Sequence, residues 1–399
     1  MIKIFKKFIY LLSGYFFIGP ISYIFPKNKK YWIFGSGSGG FVDNSKYLYL
    51  WCHRYRPDVR AIWIGKNKDE VSRLWSNGYE AYYQFSLKAF YYRLRAKVFI
   101  FSSYLKDCGY FFAKRTCNVN LWHGVGIKKI EFLIENGPLA KIYKDRLLNR
   151  FVWPHIFSRP HLFLATSPEM GLHFEKSFRL KPENIIYSNY PRILGVKNHE
   201  IRSEVMAIDG TCEYLFNDKY VILYAPTFRD VKNSKNPIFN ATLDELEGLN
   251  AKLIDKNAFL VLKVHPNEKV GKKIDFSNIM FWDNKKDIYP YIGNVNILVT
   301  DYSSIFYDFL NFKNKRFLMF PFDYDEYIND CRDLCFDYFE NVSKNVAFTF
   351  QEFCDFLFSN ANKDTEEHLE FLRKRFLFLG NSENEIIMSN ILSAISKKK

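Results

Sequence analysis

The chain has 399 residues, more than a single typical core requires and enough for two α/β domains. Hydrophobic residues make up 48%, which excludes a disordered chain, and 57 Lys and Arg against 43 Asp and Glu give a formal charge of +14 that calls for an anionic partner: a lipid surface, a nucleotide or a phosphate-rich polymer. The 41 Phe and 27 Tyr fall mostly in apolar runs without an RNA-binding signature, so no nucleic acid partner is expected, and seven irregularly spaced cysteines make neither a disulfide framework nor a zinc site and are expected as reduced thiols of the cytoplasm.

Residues 8–25 carry no charge, are interrupted by Gly14, Gly19 and Pro20, and lie between Lys3, Lys6, Lys7 and Lys27, Lys29, Lys30. Their length is at the lower edge of a bilayer span, and positive charge on both flanks gives no orientation. No small-residue cleavage site follows, so a signal peptide is not expected. The run predicts a shallow or re-entrant helix held peripherally on the cytoplasmic face of the membrane, its lysines at anionic head groups; a buried helix is the alternative.

Residues 31–34 read as a first strand, and Gly35-Ser36-Gly37-Ser38-Gly39-Gly40 matches the dinucleotide pattern G-x-G-x-x-G. That pattern requires a carboxylate at the end of the next strand, where residues 61–64 run instead into Gly65-Lys66-Asn67. The glycines are therefore expected to form a cleft loop before a helix beginning near Asp43-Asn44-Ser45. Strands at 97–101 and 118–122 follow, and the second runs into His123-Gly124-Val125-Gly126-Ile127-Lys128-Lys129. A His at a strand's exit sits where an α/β fold places its ligands. Residues 138–160 are basic and aromatic, suited to a membrane, to acceptor polymer or to a solvated helix. A strand at 162–165, the helix start Thr166-Ser167-Pro168-Glu169 and a strand at 185–190 complete a first unit, and 191–215 lack strong periodicity.

A second alternating unit begins with a strand at 220–224 that exits into Ala225-Pro226-Thr227-Phe228-Arg229-Asp230. A helix near 242–256 and a strand at 259–264 lead to His265-Pro266-Asn267-Glu268. In 296–310, Ile297, Leu298 and Val299 make a short buried strand, Asp301-Tyr302-Ser303-Ser304 end it, and Ile305, Phe306, Phe309 and Leu310 recur at helical spacing. Two hydroxyls at a helix start, with unpaired N–H groups, suit a phosphate or pyrophosphate; an ordinary capped helix reads equally well from these residues alone. A strand at 316–320, acidic and aromatic residues at 323–338 and a helical tail from Glu366 end the chain.

LWHGVGIKKI, YAPTFRD, LKVHPNE and ILVTDYSSIFYDFL followed by DYDEY, with GFVDNSK at 40–46 and NYPR at 189–192, together resemble the CDP-glycerol glycerophosphotransferases, the teichoic-acid and capsule polymerases of GT-B fold. The resemblance spans roughly residues 31–390. It implies an α/β fold of two Rossmann-like domains facing a central cleft, and glycerol phosphate transfer from CDP-glycerol to a hydroxyl of a growing or primer chain, releasing CMP. It implies an anionic polyol-phosphate or glycan acceptor, lipid-linked, and no cofactor or bound metal. Val125-Gly126, Leu194 and Phe228 depart from the family's common residues and leave the polyol and the acceptor open.

Such a transfer needs a base for the acceptor hydroxyl and fixed donors for the phosphoryl oxygens. His123 is the candidate base and His265 a second catalytic candidate. Arg229, Lys263, Asp301, Ser303 and Ser304 are candidates for the CDP-donor, and Gly124, Lys128 and Arg192 for acceptor or phosphate contacts. The expected division is a membrane-associating segment at 1–30, an acceptor-side domain at 31–190, a linker at 191–215, a donor domain at 216–365 and a helical tail at 366–399. The alternatives are a CDP-ribitol-dependent transferase, a nucleotide-sugar glycosyltransferase on the same architecture, and a non-enzymatic basic scaffold binding anionic polymer at the membrane.

Overall fold

The computed structural model describes residues 2–37, 40–135, 137–212, 216, 218–229, 236–264, 275–331, 333–381 and 383–397. The chain folds into two compact units. The first comprises Met1–His123, Pro138–Glu204 and Phe378–Lys399, and the second Gly124–Gly137 and Val205–Leu377.

The first unit holds seven parallel strands: β1 (Asn28–Gly35), β2 (Arg60–Gly65), β3 (Ala81–Tyr83), β4 (Ala96–Phe101), β5 (Cys117–Asn120), β6 (Leu162–Ala165) and β7 (Ile185–Tyr187), in the order β3-β2-β1-β4-β5-β6-β7. Parallel strands covered on both faces read as continuous apolar runs. Trp32, Ile33 and Phe34 of β1 and Val98, Phe99 and Ile100 of β4 are accordingly buried outright. Each such side chain contributes about 1.5–3 kcal/mol over leaving it in water. The exit of β1 packs tightly on the turn after β4: a Cβ on Gly35 would lie 2.8 Å from the Asp107 carbonyl oxygen.

The apolar N-terminal run forms the expected helix. Ile2–Ser13 passes through one wide turn, where the Gly19 N–H reaches the Gly14 carbonyl, into Gly19–Ile24. Gly14 is the contact point, because a Cβ there would fall 2.2 Å from the Phe111 ring. Ser22 Oγ donates to the Phe112 carbonyl and Lys27 Nζ to the Leu94 carbonyl at 2.8 Å. Burial, with Arg115 and Lys97 nearby, pulls the Lys27 ammonium down to about 8.

The second unit holds five parallel strands: β8 (Tyr220–Tyr224), β9 (Ala258–Leu262), β10 (Ile279–Phe281), β11 (Ile297–Thr300) and β12 (Arg316–Met319), in the order β10-β9-β8-β11-β12. Ile222, Leu260, Ile297 and Leu318 share its core with Leu246, Leu249 and Leu253 of helix Leu243–Asp255. That helix begins with a reciprocal cap between Thr242 and Glu245. The stretch 191–215 contains the helices Pro191–Lys197 and His199–Asp209. Of the tail, helix Glu366–Phe376 packs in the second unit and helix Asn384–Lys397 in the first.

In both sheets the strand order reverses once, between β1 and β4 and between β8 and β11. Ligands of open α/β sheets bind outside the carboxyl ends of the strands at such reversals.

Candidate active site

In the first unit, β4 exits into Ser102 and its neighbour β5 into Leu121, Trp122 and His123. Leu121 N–H still pairs with the Phe101 carbonyl at 2.8 Å, but Asn120 Oδ1 then takes the Trp122 N–H at 2.9 Å and Trp122 adopts φ +51°. That turn brings His123 back over β4, where its Nδ1 lies 3.0 Å from the Ser102 carbonyl oxygen. A carbonyl only accepts, so this contact assigns the proton to Nδ1 and leaves the Nε2 lone pair available. The exposed imidazole rests on the Trp122 ring, centroids 4.0 Å apart.

Helix Asp43–Tyr55 holds this loop from below. Asn44, fully buried, donates from Nδ2 to the Trp122 carbonyl at 2.8 Å and accepts the Arg192 N–H at 3.2 Å. Arg192 meets Asp43 at 2.9 Å through Nη1 and donates to the His123 carbonyl at 3.0 Å through Nη2. Ser45 N–H donates to Ser102 Oγ at 2.9 Å, fixing the residue whose carbonyl holds the imidazole. The segments GFVDNSK, WHG and NYPR thus meet in one buried network. Arg192 reaches the site through the His123 backbone, not with a free guanidinium. Gly124 follows His123 with φ +154°.

In the second unit, Asp301 stands at the end of β11, buried. Its Oδ1 accepts the Thr227 N–H at 2.8 Å and the Tyr302 N–H at 2.6 Å, and its Oδ2 lies 2.8 Å from Arg229 Nη2. Asp323 takes the other side of Arg229 with two bonds, from Nε at 2.6 Å and Nη2 at 2.8 Å. Burial works to lower the Arg229 pKa, but Asp301 and then Asp323 outweigh it and raise the group above its ordinary value. The guanidinium lies 5.1 Å from the Tyr302 ring and 5.0 Å from Tyr327, and these two rings stack at 3.8 Å. Arg229 is therefore enclosed by two carboxylates and two tyrosines.

Ser303 and Ser304 follow, half-buried. Helix Ile305–Phe309 has only five residues, and Ser304 sits at its cap without a side-chain capping bond. Ser303 Oγ accepts the Ile305 N–H at a long 3.4 Å. So short a helix has little dipole, and what it offers an anion is these two hydroxyls. Lys263, just past β9, is lowered by burial, with Asp287 opposing the shift. Lys128 lies in a segment whose backbone pairs with Leu334, its Nζ 5.6 Å from the Tyr327 ring. His265 lies outside the described residues. Among the described residues no group of three or more His, Cys, Asp or Glu could hold a metal.

Asn44, Ser102, Thr227, Asp323 and Tyr327 were not among the sequence candidates. Asp323 and Tyr327 stood inside the DYDEY segment, but their partner Arg229 is 94 residues from Asp323. The Thr227 hydroxyl is buried and makes no hydrogen bond among the described residues.

Two parallel sheets, each with polar side chains gathered where its strand order reverses, define a GT-B-like fold. The same architecture is found in the wall teichoic acid polymerase TagF, with a TM-score of 0.75, 20% identity and coverage of 100% of this chain and 99% of that one. The pattern of the CDP-glycerol:poly(glycerophosphate) glycerophosphotransferases matches residues 18–391, and the chain belongs to that family of enzymes. It is 28% identical over 409 residues to the teichoic acid poly(glycerol phosphate) polymerase of Bacillus spizizenii, covering 96% of this chain and 98% of that one. It is also 28% identical over 311 residues to the teichoic acid glycerol-phosphate transferase of Staphylococcus aureus, covering 75% of each.

Proposed function

We propose that the protein transfers glycerol phosphate from CDP-glycerol to the terminal hydroxyl of a lipid-linked polyol-phosphate acceptor at the cytoplasmic face of the membrane. The acceptor oxygen attacks the phosphorus that bears glycerol, a phosphodiester forms, the P–O bond to CMP breaks, and the hydroxyl proton passes to His123 Nε2. The observation that carries this reading is the Ser102 carbonyl on His123 Nδ1, which leaves Nε2 as the basic nitrogen on an exposed ring. General bases of this kind contribute typically 10²–10⁴-fold.

The donor diphosphate is assigned to the second unit, to Ser303, Ser304 and Lys263, with Lys128 as a phosphate contact and His265 as a further catalytic group, both on sequence grounds. Arg229 and Asp301 shape that site through their ion pair. Gly124 gives the chain after His123 its turn, and Arg192 positions the base.

Membrane attachment is assigned to the first unit. Only 22% of the apolar stretch Lys7–Ile24 is buried, and Phe16 and Phe17 are 69% and 66% exposed. Helix Leu147–Val152 adds Leu147 and Leu148, 88% and 69% exposed, and its Phe151 stacks on Tyr15 at 4.8 Å. Lysines and arginines beside such apolar faces meet anionic head groups. CMP release from CDP-glycerol and from CDP-ribitol, each with a glycerol phosphate oligomer as acceptor, tests the donor assignment; equal or faster release from CDP-ribitol would reject it.

A further inference from the structure

Beyond the turn that holds His123, the first unit gathers basic and aromatic groups that the transfer chemistry above does not use. The chain leaving Ser102 passes through Ser103, whose carbonyl is fixed by Asn120 Nδ2 at 3.0 Å, to Tyr104 and Lys106. Tyr104 and Tyr143 join their hydroxyls at 2.9 Å, and the Tyr104 ring stands edge-on to His155 with centroids 5.5 Å apart. Lys106 Nζ lies 5.0 Å from the Tyr104 ring, and Lys7 Nζ from the N-terminal helix lies 4.0 Å over Trp153.

We propose that Lys7, Lys106, Tyr104, Tyr143 and His155 form a subsite for a phosphodiester of the acceptor chain. The inference rests on the acceptor reading given above. Three nitrogen bases converge here, and of the nearby carboxylates Asp107 faces both Lys66 and Lys106 whereas Asp145 is taken up by arginines. Asp107 meets Lys66 at 3.5 Å and the Tyr104 N–H at 3.0 Å, and Asp145 is shared by Arg150 and Arg179 at 2.6 and 2.8 Å. Lys7 and Lys106 stand close enough to act on His155 and on each other: burial, then Lys106 and Lys7, hold His155 down to about 3, and burial, then Lys106, lower Lys7. A phosphodiester would meet the Lys7 and Lys106 ammoniums, which are donors of the kind its oxygens accept.

Placement argues for the acceptor as the source of that phosphodiester. Tyr104 is two residues beyond Ser102, a chain path of at most about 7 Å. A polyol-phosphate chain carries one phosphodiester per repeat, so an acceptor whose terminal hydroxyl reaches His123 brings its first phosphodiester within one repeat of the base. Lys106 lies on the strand exit, whereas Lys7 belongs to the apolar helix.

The test is calorimetric binding of a soluble glycerol phosphate oligomer to full-length wild type, Lys106→Ala and Lys106→Glu, beside sedimentation of each with phosphatidylglycerol vesicles. The expected result is binding weakened roughly tenfold in Lys106→Ala and further in Lys106→Glu, with a matching rise in the KM for the oligomer and vesicle sedimentation as in wild type. Oligomer affinity unchanged in both variants, or no binding by wild type, would overturn the subsite. A loss confined to vesicles would assign these lysines to lipid head groups and overturn the acceptor. Oligomer binding that responds as expected without any CMP release from CDP-glycerol would reject the donor reading and leave the subsite standing.

Discussion

The proposed base at the strand exit needs a ring held in place, and for His123 the restraint comes from Ser102 and, through the backbone, from Asn44 and Arg192. Replacing Asn44 by Ala removes the hydrogen bonds to the Trp122 carbonyl and the Arg192 N–H and leaves buried polar groups unpaired, at a cost of about 1–3 kcal/mol each. Asn44→Ala should lower kcat at least tenfold and leave CDP affinity near wild type; calorimetry with CDP beside steady-state CMP release checks both, and an unchanged kcat would remove Asn44 from the support of the base. Ser303→Ala with Ser304→Ala should act in the opposite way. Hydrogen bonds to a charged group contribute about 1.5–3 kcal/mol each, so CDP affinity should drop by at least tenfold. Arg229→Met should be felt in stability first, because it leaves buried Asp301 and half-buried Asp323 without their cation. Breaking such a pair costs about 3–5 kcal/mol, read as a lower urea midpoint.

At the level of elements, the N-terminal helix and helix Leu147–Val152 present one apolar surface, joined by the Tyr15–Phe151 stack and the Tyr15 hydroxyl on the Phe151 carbonyl at 3.0 Å. Leu147→Ser with Leu148→Ser removes exposed side chains that contact little of the fold. The pair should release a measurable fraction of the protein from phosphatidylglycerol vesicles without altering its thermal midpoint; sedimentation identical to wild type would confine attachment to the N-terminal helix. The apolar strands and the N-terminal helix were legible in the sequence because burial on both faces, or a long uncharged run, leaves its mark residue by residue. The end of β5 was not. Strand character extends by composition to Trp122, but the Asn120 side chain caps the Trp122 N–H and sends the chain into a left-handed turn. The helix after Ser304 was legible in its periodicity and not in its length, since Leu310 begins a turn that leaves only five helical residues. The Arg229–Asp323 pair joins distant segments, and no local pattern marks it.

For the whole molecule, two buried histidines predict how stability depends on pH. Burial holds His173 down to about 4 and His155 down to about 3, with neighbouring lysines adding to both shifts. The unfolded chain takes up these protons near pH 6.5, whereas the folded protein resists until about 4 and about 3. Stability from both groups is therefore complete above pH 6.5 and falls as the pH drops below it. The slope is at most about 1.4 kcal/mol per pH unit for each histidine. Urea unfolding at pH 7.5 and pH 5 should show that loss, and His173→Gln should reduce it.

The central claim is that His123 takes the acceptor's proton in a transfer from CDP-glycerol. It is tested most directly by CMP release from CDP-glycerol and a glycerol phosphate oligomer, measured for wild type and His123→Ala together with CDP affinity for both. The predicted result is robust release by wild type and a loss of about 10²–10⁴-fold in His123→Ala with CDP affinity retained. Release by His123→Ala at the wild-type rate, or CDP affinity lost along with turnover, would contradict it.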